Sequence, residues 1–174
     1  MRNIYVISDT HFNHSNILTF KNQNGQLIRP EFDTIEQMNE CIADNWADTV
    51  KDGDIVYHLG DVFMTGDPNF INKLPGRKRL ILGNHDDLKK IIKLGCFSKI
   101  QLFRVFREFN IILSHVPMDT NSRKNCLNVH GHIHERSMND NNYVNVCVER
   151  TKYKPVDLES LAGQDCSQQL TLDF

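Results

Sequence analysis

The chain has no pair of cysteines at CxxC spacing, and its five cysteines, Cys41, Cys96, Cys126, Cys147 and Cys166, are odd in number. Both facts argue against a disulfide framework and against a zinc knuckle, and they read as free thiols in a reducing compartment. No apolar run nears the roughly 18 residues that a membrane span needs. The opening Met1-Arg2-Asn3-Ile4-Tyr5 reaches Asp9 too soon for a signal peptide. A cytoplasmic protein with no membrane partner is therefore expected. Strong charge of one sign is missing too: the formal net charge is -2. No global basic field calls for nucleic acid, and the basic clusters at 77–79, 89–90 and 123–124 are short. Internal repeats, low-complexity tracts and domain boundaries are absent. With 40% hydrophobic and 24% charged residues, the 174-residue chain suits one globular domain spanning residues 1–174.

What is present is a series of short apolar runs, each emptying into polar residues. Ile4-Tyr5-Val6-Ile7 is β-branched and aromatic, a buried strand, and runs into Ser8-Asp9-Thr10-His11. The spacing predicts a short helix within 12–20, capped by Asn13 or Ser15. Thr34-Ile35-Glu36-Gln37 is a capping box. Ile35, Met38, Ile42, Trp46 and Val50 then recur at helical spacing. A strand over 54–59 leads to Gly60-Asp61, with His58 inside it as a hydrogen-bonded core histidine. Residues 62–76 read as a loop with one helical turn. Arg77-Lys78-Arg79 reads as a solvated turn opening the next strand. That strand ends at Gly83-Asn84-His85-Asp86, where a glycine allows a sharp turn. A helix over 88–94 is closed by Gly95. Residues 98–106 and 109–113 read as two antiparallel strands, the second ending in Ser114-His115. Residues 127–129 lead to His130-Gly131-His132-Ile133-His134, and 143–148 read as a strand paired with them. Residues 156–161 carry a turn or two of helix.

The strand ends supply Asp9, His11, Asp61, Asn84, His85, His115, His132 and His134. Two carboxylates, one amide and five imidazoles at five junctions are a metal-type set. It contains no sulfur, which argues against a closed structural zinc site. Mixed oxygen and imidazole ligands suit ions that do Lewis-acid work. Eight groups exceed the needs of one ion. Two ions sharing a carboxylate would use seven and leave one group for catalysis.

At this point the chain resembles the calcineurin-like metallophosphoesterases, in particular a small, uncapped bacterial and phage branch. The resemblance rests on Asp9-Thr10-His11, Gly60-Asp61, Gly83-Asn84-His85-Asp86, His115 and Gly131-His132-Ile133-His134, in that order. It implies an α/β fold, a four-layer α/β/β/α sandwich of two mixed sheets flanked by helices. It implies two divalent metal ions, with manganese favoured and iron, cobalt, nickel or zinc as alternatives. Asp9, His11 and His134 would hold the first ion and Asn84, His115 and His132 the second, with Asp61 bridging. His85 would be the catalytic acid or charge stabiliser, oriented by Asp86. A metal-bridging hydroxide would attack a phosphodiester or phosphomonoester. Arg29 and His14 are candidate substrate contacts.

An Asp-Arg-Gly run carried by some members is missing, because Gly60-Asp61 continues as Val62-Phe63-Met64. That weakens a protein-phosphatase reading. A small phosphate ester, a nucleotide among the candidates, is the favoured substrate. A nuclease ranks below it, and a non-catalytic scaffold of the same fold ranks lower still. Loops 12–32, 62–76 and 116–125 would shape the pocket.

Overall fold

The computed structural model describes residues 2–65, 69–120 and 126–162. Gly66, Pro68, the basic pair Arg123–Lys124 and Cys166 lie outside the described residues, as do residues 121–125 of the 116–125 loop.

Two sheets form the frame. The first has the order β4-β3-β2-β1-β9, from Ile100–Gln101, Arg77–Ile81, Ile55–His58, Ile4–Ile7 and Val156–Asp157. The second has the order β5-β6-β7-β8, from Phe103–Phe106, Ile111–Ser114, Leu127–His130 and Tyr143–Asn145. Strands β1 to β4 run parallel, and so do β6 to β8; β9 and β5 are the antiparallel edges. Parallel neighbours deliver their carboxyl ends to the same edge of a sheet, where open α/β sheets place ligands.

Alternation along the strands builds two cores, because successive side chains point to opposite faces. Val6, Tyr57, Leu59 and Ile81 face Phe106, Ile111, Leu113 and Val129 of the second sheet. Tyr5, Ile7, Val56 and Leu80 face the helices. Helix α1 (Ile35–Thr49) presents Met38, Ile42 and Trp46 to that face, and its Thr34–Gln37 capping box forms as the sequence reads. Helices α2 (Phe70–Lys73) and α3 (Leu88–Leu94) add Ile71 and Ile91 to the same core. Gly95 closes α3 in the left-handed conformation. Helix α4 (Leu158–Leu161) instead tucks Leu158 and Leu161 into the layer between the sheets.

Several local expectations are corrected. Residues 98–106 are not one strand: the chain splits around Leu102, giving β4 to the first sheet and β5 to the second. β8 pairs with β7 as the sequence reads, and the pairing is parallel, so residues 135–142 are a crossover; the strand itself stops at Asn145 and not at 148. The helix after β1 is a 3-10 turn at Ser15–Thr19, and its first residue follows His14, which makes no side-chain cap. Arg77-Lys78-Arg79 is no solvated turn, since all three lie in β3. Lys78 is buried and donates to the carbonyls of Leu74 and Gly76, while Arg79 stacks on Tyr57 and donates to its hydroxyl at 2.6 Å. Among the described residues no helix is long and apolar enough to cross a membrane.

His58 is a fully enclosed core histidine. Its Nδ1 accepts from Gly60 N at 3.2 Å and its Nε2 meets Thr10 Oγ1 at 2.9 Å, against the stacked ring of Trp46. Burial lowers its pKa from 6.5 to about 3. Below the unfolded value, the unfolded chain takes up a proton that the folded chain refuses. The metal-free protein should therefore lose stability progressively as pH falls from about 6.5 towards about 3. Thermal midpoints recorded with chelator at neutral and acidic pH should show that loss. His58→Asn should reduce the drop without abolishing it, because His11 is also held neutral by burial; an undiminished drop would exonerate His58.

Candidate metal centre

Backbone of unusual conformation brings the junction residues together. Asp9, His11, Asp61, His132 and His134 all have positive φ, between 48° and 71°. Left-handed backbone costs a non-glycine residue on the order of 1 kcal/mol or more, and clusters of it mark functional loops. Asp9 and His11 thus face one way through two left-handed turns, not through strand alternation. Rungs between loops hold them: Asp9 N donates to Gly60 O at 3.0 Å, His11 N to Asp61 O at 3.0 Å and Gly131 N to His115 O at 2.9 Å.

Several side chains are held by one atom and present another. Asp9 Oδ2 accepts from Ser8 Oγ at 2.5 Å, His132 N at 2.9 Å and Cys147 Sγ at 3.2 Å. Asp9 Oδ1 is buried with no hydrogen-bond partner. Asp61 Oδ1 accepts from His85 N at 2.9 Å, while Oδ2 lies 3.7 Å from His11 Nε2 and 3.6 Å from His115 Nε2. His115 Nδ1 donates to Leu59 O at 2.8 Å, which leaves Nε2 a bare acceptor; it faces the Asn84 side-chain oxygen at 2.7 Å. Neither ring nitrogen of His11 has a partner. Two groups of possible ligand atoms result: Asp9 with His11 and His134, and Asp9 with Asp61 and His115.

These separations fit cations. Two atoms each about 2.1 Å from one ion lie at most about 4.2 Å apart. The 3.6–3.9 Å contacts among His11, His115, Asp9 and Asp61 are too long for hydrogen bonds and within that limit. Buried lone pairs without donors are costly, and a divalent ion satisfies several at once. Electrostatics agree. Burial raises the pKa of Asp9, partly offset by His115 and His134. Burial, reinforced by Arg29, drives that of His11 far down, so this ring is neutral and able to ligate.

His132 lies against His115, ring centroids 5.0 Å apart. His85 is exposed, its ring 5.9 Å from that of His11. His14 is half-buried at 5.5 Å from His11, with Phe20 edge-on at 5.6 Å. Two assignments need correction. Asp86 does not orient His85: its Oδ2 accepts from Asp61 N at 3.0 Å and Gly83 N at 2.8 Å, and Oδ1 from Val62 N at 2.9 Å. It stitches two loops together. Arg29 is no substrate clamp: it is fully buried, and its guanidinium is spent on Glu149 and on the carbonyls of Asp9 and Thr10.

Across residues 2–166 the sequence matches the model of the calcineurin-like phosphoesterases. The chain belongs to that family. Calcineurin-like phosphoesterases are metal-dependent, in keeping with the ligand groups. An uncharacterized protein of Methanocaldococcus jannaschii is 35% identical over 175 aligned positions, 91% of this chain and 89% of that protein. The gene 66 protein of Mycobacterium phage L5 is 34% identical over 92 positions, 49% of this chain and 41% of the phage protein. In three dimensions, a protein of unknown function from Aquifex aeolicus superimposes with a TM-score of 0.70 at 30% identity, covering 92% of this chain and 98% of that one.

Sequence reasoning missed Cys147 and Glu149. Glu149 directly follows the apolar Val146-Cys147-Val148, so the strand-end rule that found the other junctions applied to it as well. Its Oε1 lies 2.9 Å from His134 Nδ1.

Glycine is obligatory where these loops touch. A Cβ at residue 131 would sit 2.0 Å from Ser8 Oγ and 2.2 Å from Asp9 Oδ2. In this calcineurin-like phosphoesterase, Gly131→Ala should push Asp9 aside and weaken cation binding at least about tenfold, the scale of disturbing a ligand's support. Gly53→Ala, with open space around it, should not. Calorimetric titration with Mn²⁺, with circular dichroism to check folding, compares them; equal affinities would show that the close packing is immaterial.

Proposed function

We propose that the protein hydrolyses a small phosphate monoester or diester with two divalent cations. Asp9, His11 and His134 hold one, Asn84, His115 and His132 hold the other, and Asp61 reaches both. The observation that carries this reading is the position of Asp61 Oδ2, within 4 Å of ring nitrogens from both groups. Manganese is the favoured ion, given oxygen and imidazole ligands without sulfur.

When bound, the two cations supply positive charge to the phosphate oxygens and lower the pKa of water at the site. The chain's own residues do the rest. Asp61 is fixed through its Oδ1, so its other oxygen keeps a set direction. His85 stands exposed beside His11, where an imidazole can stabilise charge or deliver a proton to the leaving oxygen. No described hydrogen bond ties its ring to Asp86, so it is free to follow the substrate. His14 beside His11 lies where it can meet a phosphate oxygen. Arg29 takes no part in substrate contact.

A panel of aryl monoester, aryl diester, cyclic nucleotides and single-stranded nucleic acid, each with Mn²⁺, tests the reading. Turnover of small esters that vanishes on chelation and returns with Mn²⁺ is expected. A protein silent on all small esters yet active on nucleic acid would replace this reading with a nuclease. Asp61→Ala should abolish activity and weaken both cations, whereas His85→Ala should lower kcat by roughly 10²–10⁴ with cation content unchanged. An unaltered kcat in the second variant removes His85 from the chemistry.

A further inference from the structure

Behind the His134 ring lies a buried ion pair for which the proposed reaction has no direct use. Arg29 is fully buried, and the Glu149 side chain is 3% exposed. Arg29 Nε and Nη2 approach the same carboxylate oxygen, Glu149 Oε1, at 2.8 and 2.7 Å. That oxygen also lies 2.9 Å from His134 Nδ1. Nη2 further donates to Asp9 O at 2.6 Å, and Nη1 to Thr10 O at 3.1 Å. One guanidinium therefore touches both the carboxylate behind His134 and the backbone that carries Asp9. A buried pair of this kind adds little net stability, and a well-packed apolar pair of similar volume often serves as well. Its reason is better sought in what it touches.

We propose that Arg29 and Glu149 are a positioning couple that sets the ring of His134 for cation binding. A carboxylate accepting from Nδ1–H fixes one tautomer and leaves Nε2 bare. Arg29 holds that carboxylate and the Asp9–Thr10 backbone in one frame, so two ligands of the first group are aligned together. Among the described residues no such couple backs His115 of the second group, whose Nδ1 is oriented by a backbone carbonyl, Leu59 O. The two cation sites therefore depend differently on this pair. This inference rests on the two-cation reading.

Metal-free full-length protein titrated with Mn²⁺ by calorimetry provides the test, with ring-nitrogen NMR of His134 as a second readout. Wild type should bind two equivalents. In Glu149→Gln one binding step should weaken ten- to a hundredfold while the other changes less than about twofold, and His134 should lose its preference for the Nδ1–H tautomer at a pH where the ring is neutral. Should that variant fail to fold, Arg29→Met/Glu149→Leu, which leaves no unpaired buried charge, should fold and show the same selective loss. Wild type binding no Mn²⁺ would overturn the two-cation reading. Wild type binding two with the variants binding both as tightly, or both steps weakening equally with the tautomer unmoved, would overturn the positioning couple alone.

Discussion

Ligand-type atoms crowd into one buried place, and several find no protein partner there. Asp9 Oδ1 and both nitrogens of His11 have no partner, and His115 Nε2 faces the oxygen of Asn84. Each unsatisfied buried group costs about 1–3 kcal/mol, and the left-handed backbone beneath several of them adds to that. A chain selected for stability alone would not keep this arrangement. The surrounding structure enforces it by occupying one atom of a ligand and leaving another. Ser8, Cys147 and the His132 amide occupy Asp9 Oδ2; the His85 amide occupies Asp61 Oδ1; Leu59 O occupies His115 Nδ1. The lone pairs that remain are ones a cation can satisfy together.

Topology explains how so many separate segments reach one place. Parallel pairing of β1, β2 and β3 brings the 8–11, 60–61 and 83–86 loops to one edge of the first sheet. Parallel pairing of β6, β7 and β8 does the same for 114–115, 130–134 and 146–149 on the second. The apolar layer between the sheets sets the two edges face to face. Asp86 then ties the β2 and β3 loops through backbone amides, and Gly131 lets the β7 loop lie against Asp9. Small changes at residues that are not themselves ligands can therefore disturb the centre.

Much of this was legible because the signal is local. An apolar run followed by His, Asp or Asn marks a strand end wherever it occurs, and the capping box at Thr34 needs only four residues. What escaped is long-range. The split at Leu102 depends on which sheet each half finds, and spacing is silent on that. The parallel pairing of β8 was hidden because a polar loop of that length suits a hairpin or a crossover. Arg29 was misread because arginine is rarely fully buried; its burial depends on Glu149, 120 positions away. Asp86 follows His85 in sequence, yet the donors it meets are backbone amides, two from the β2 loop and one from its own.

Two buried histidines separate structure from function more sharply than any motif. His58, the last residue of β2, and His11, in the loop after β1, are both enclosed and both neutral through burial. His58 spends its two nitrogens, one on Gly60 N and one on Thr10 Oγ1, which in turn donates to Val62 O at 2.8 Å. Such a ring is part of the core and asks for nothing more. His11 spends neither. Burial is common to the two; unanswered burial belongs to one. His130 Nε2 is buried without a partner too, but only His11 of these rings joins that state to Asp9 and His134 atoms within reach of one ion, and that combination marks it as a cation ligand.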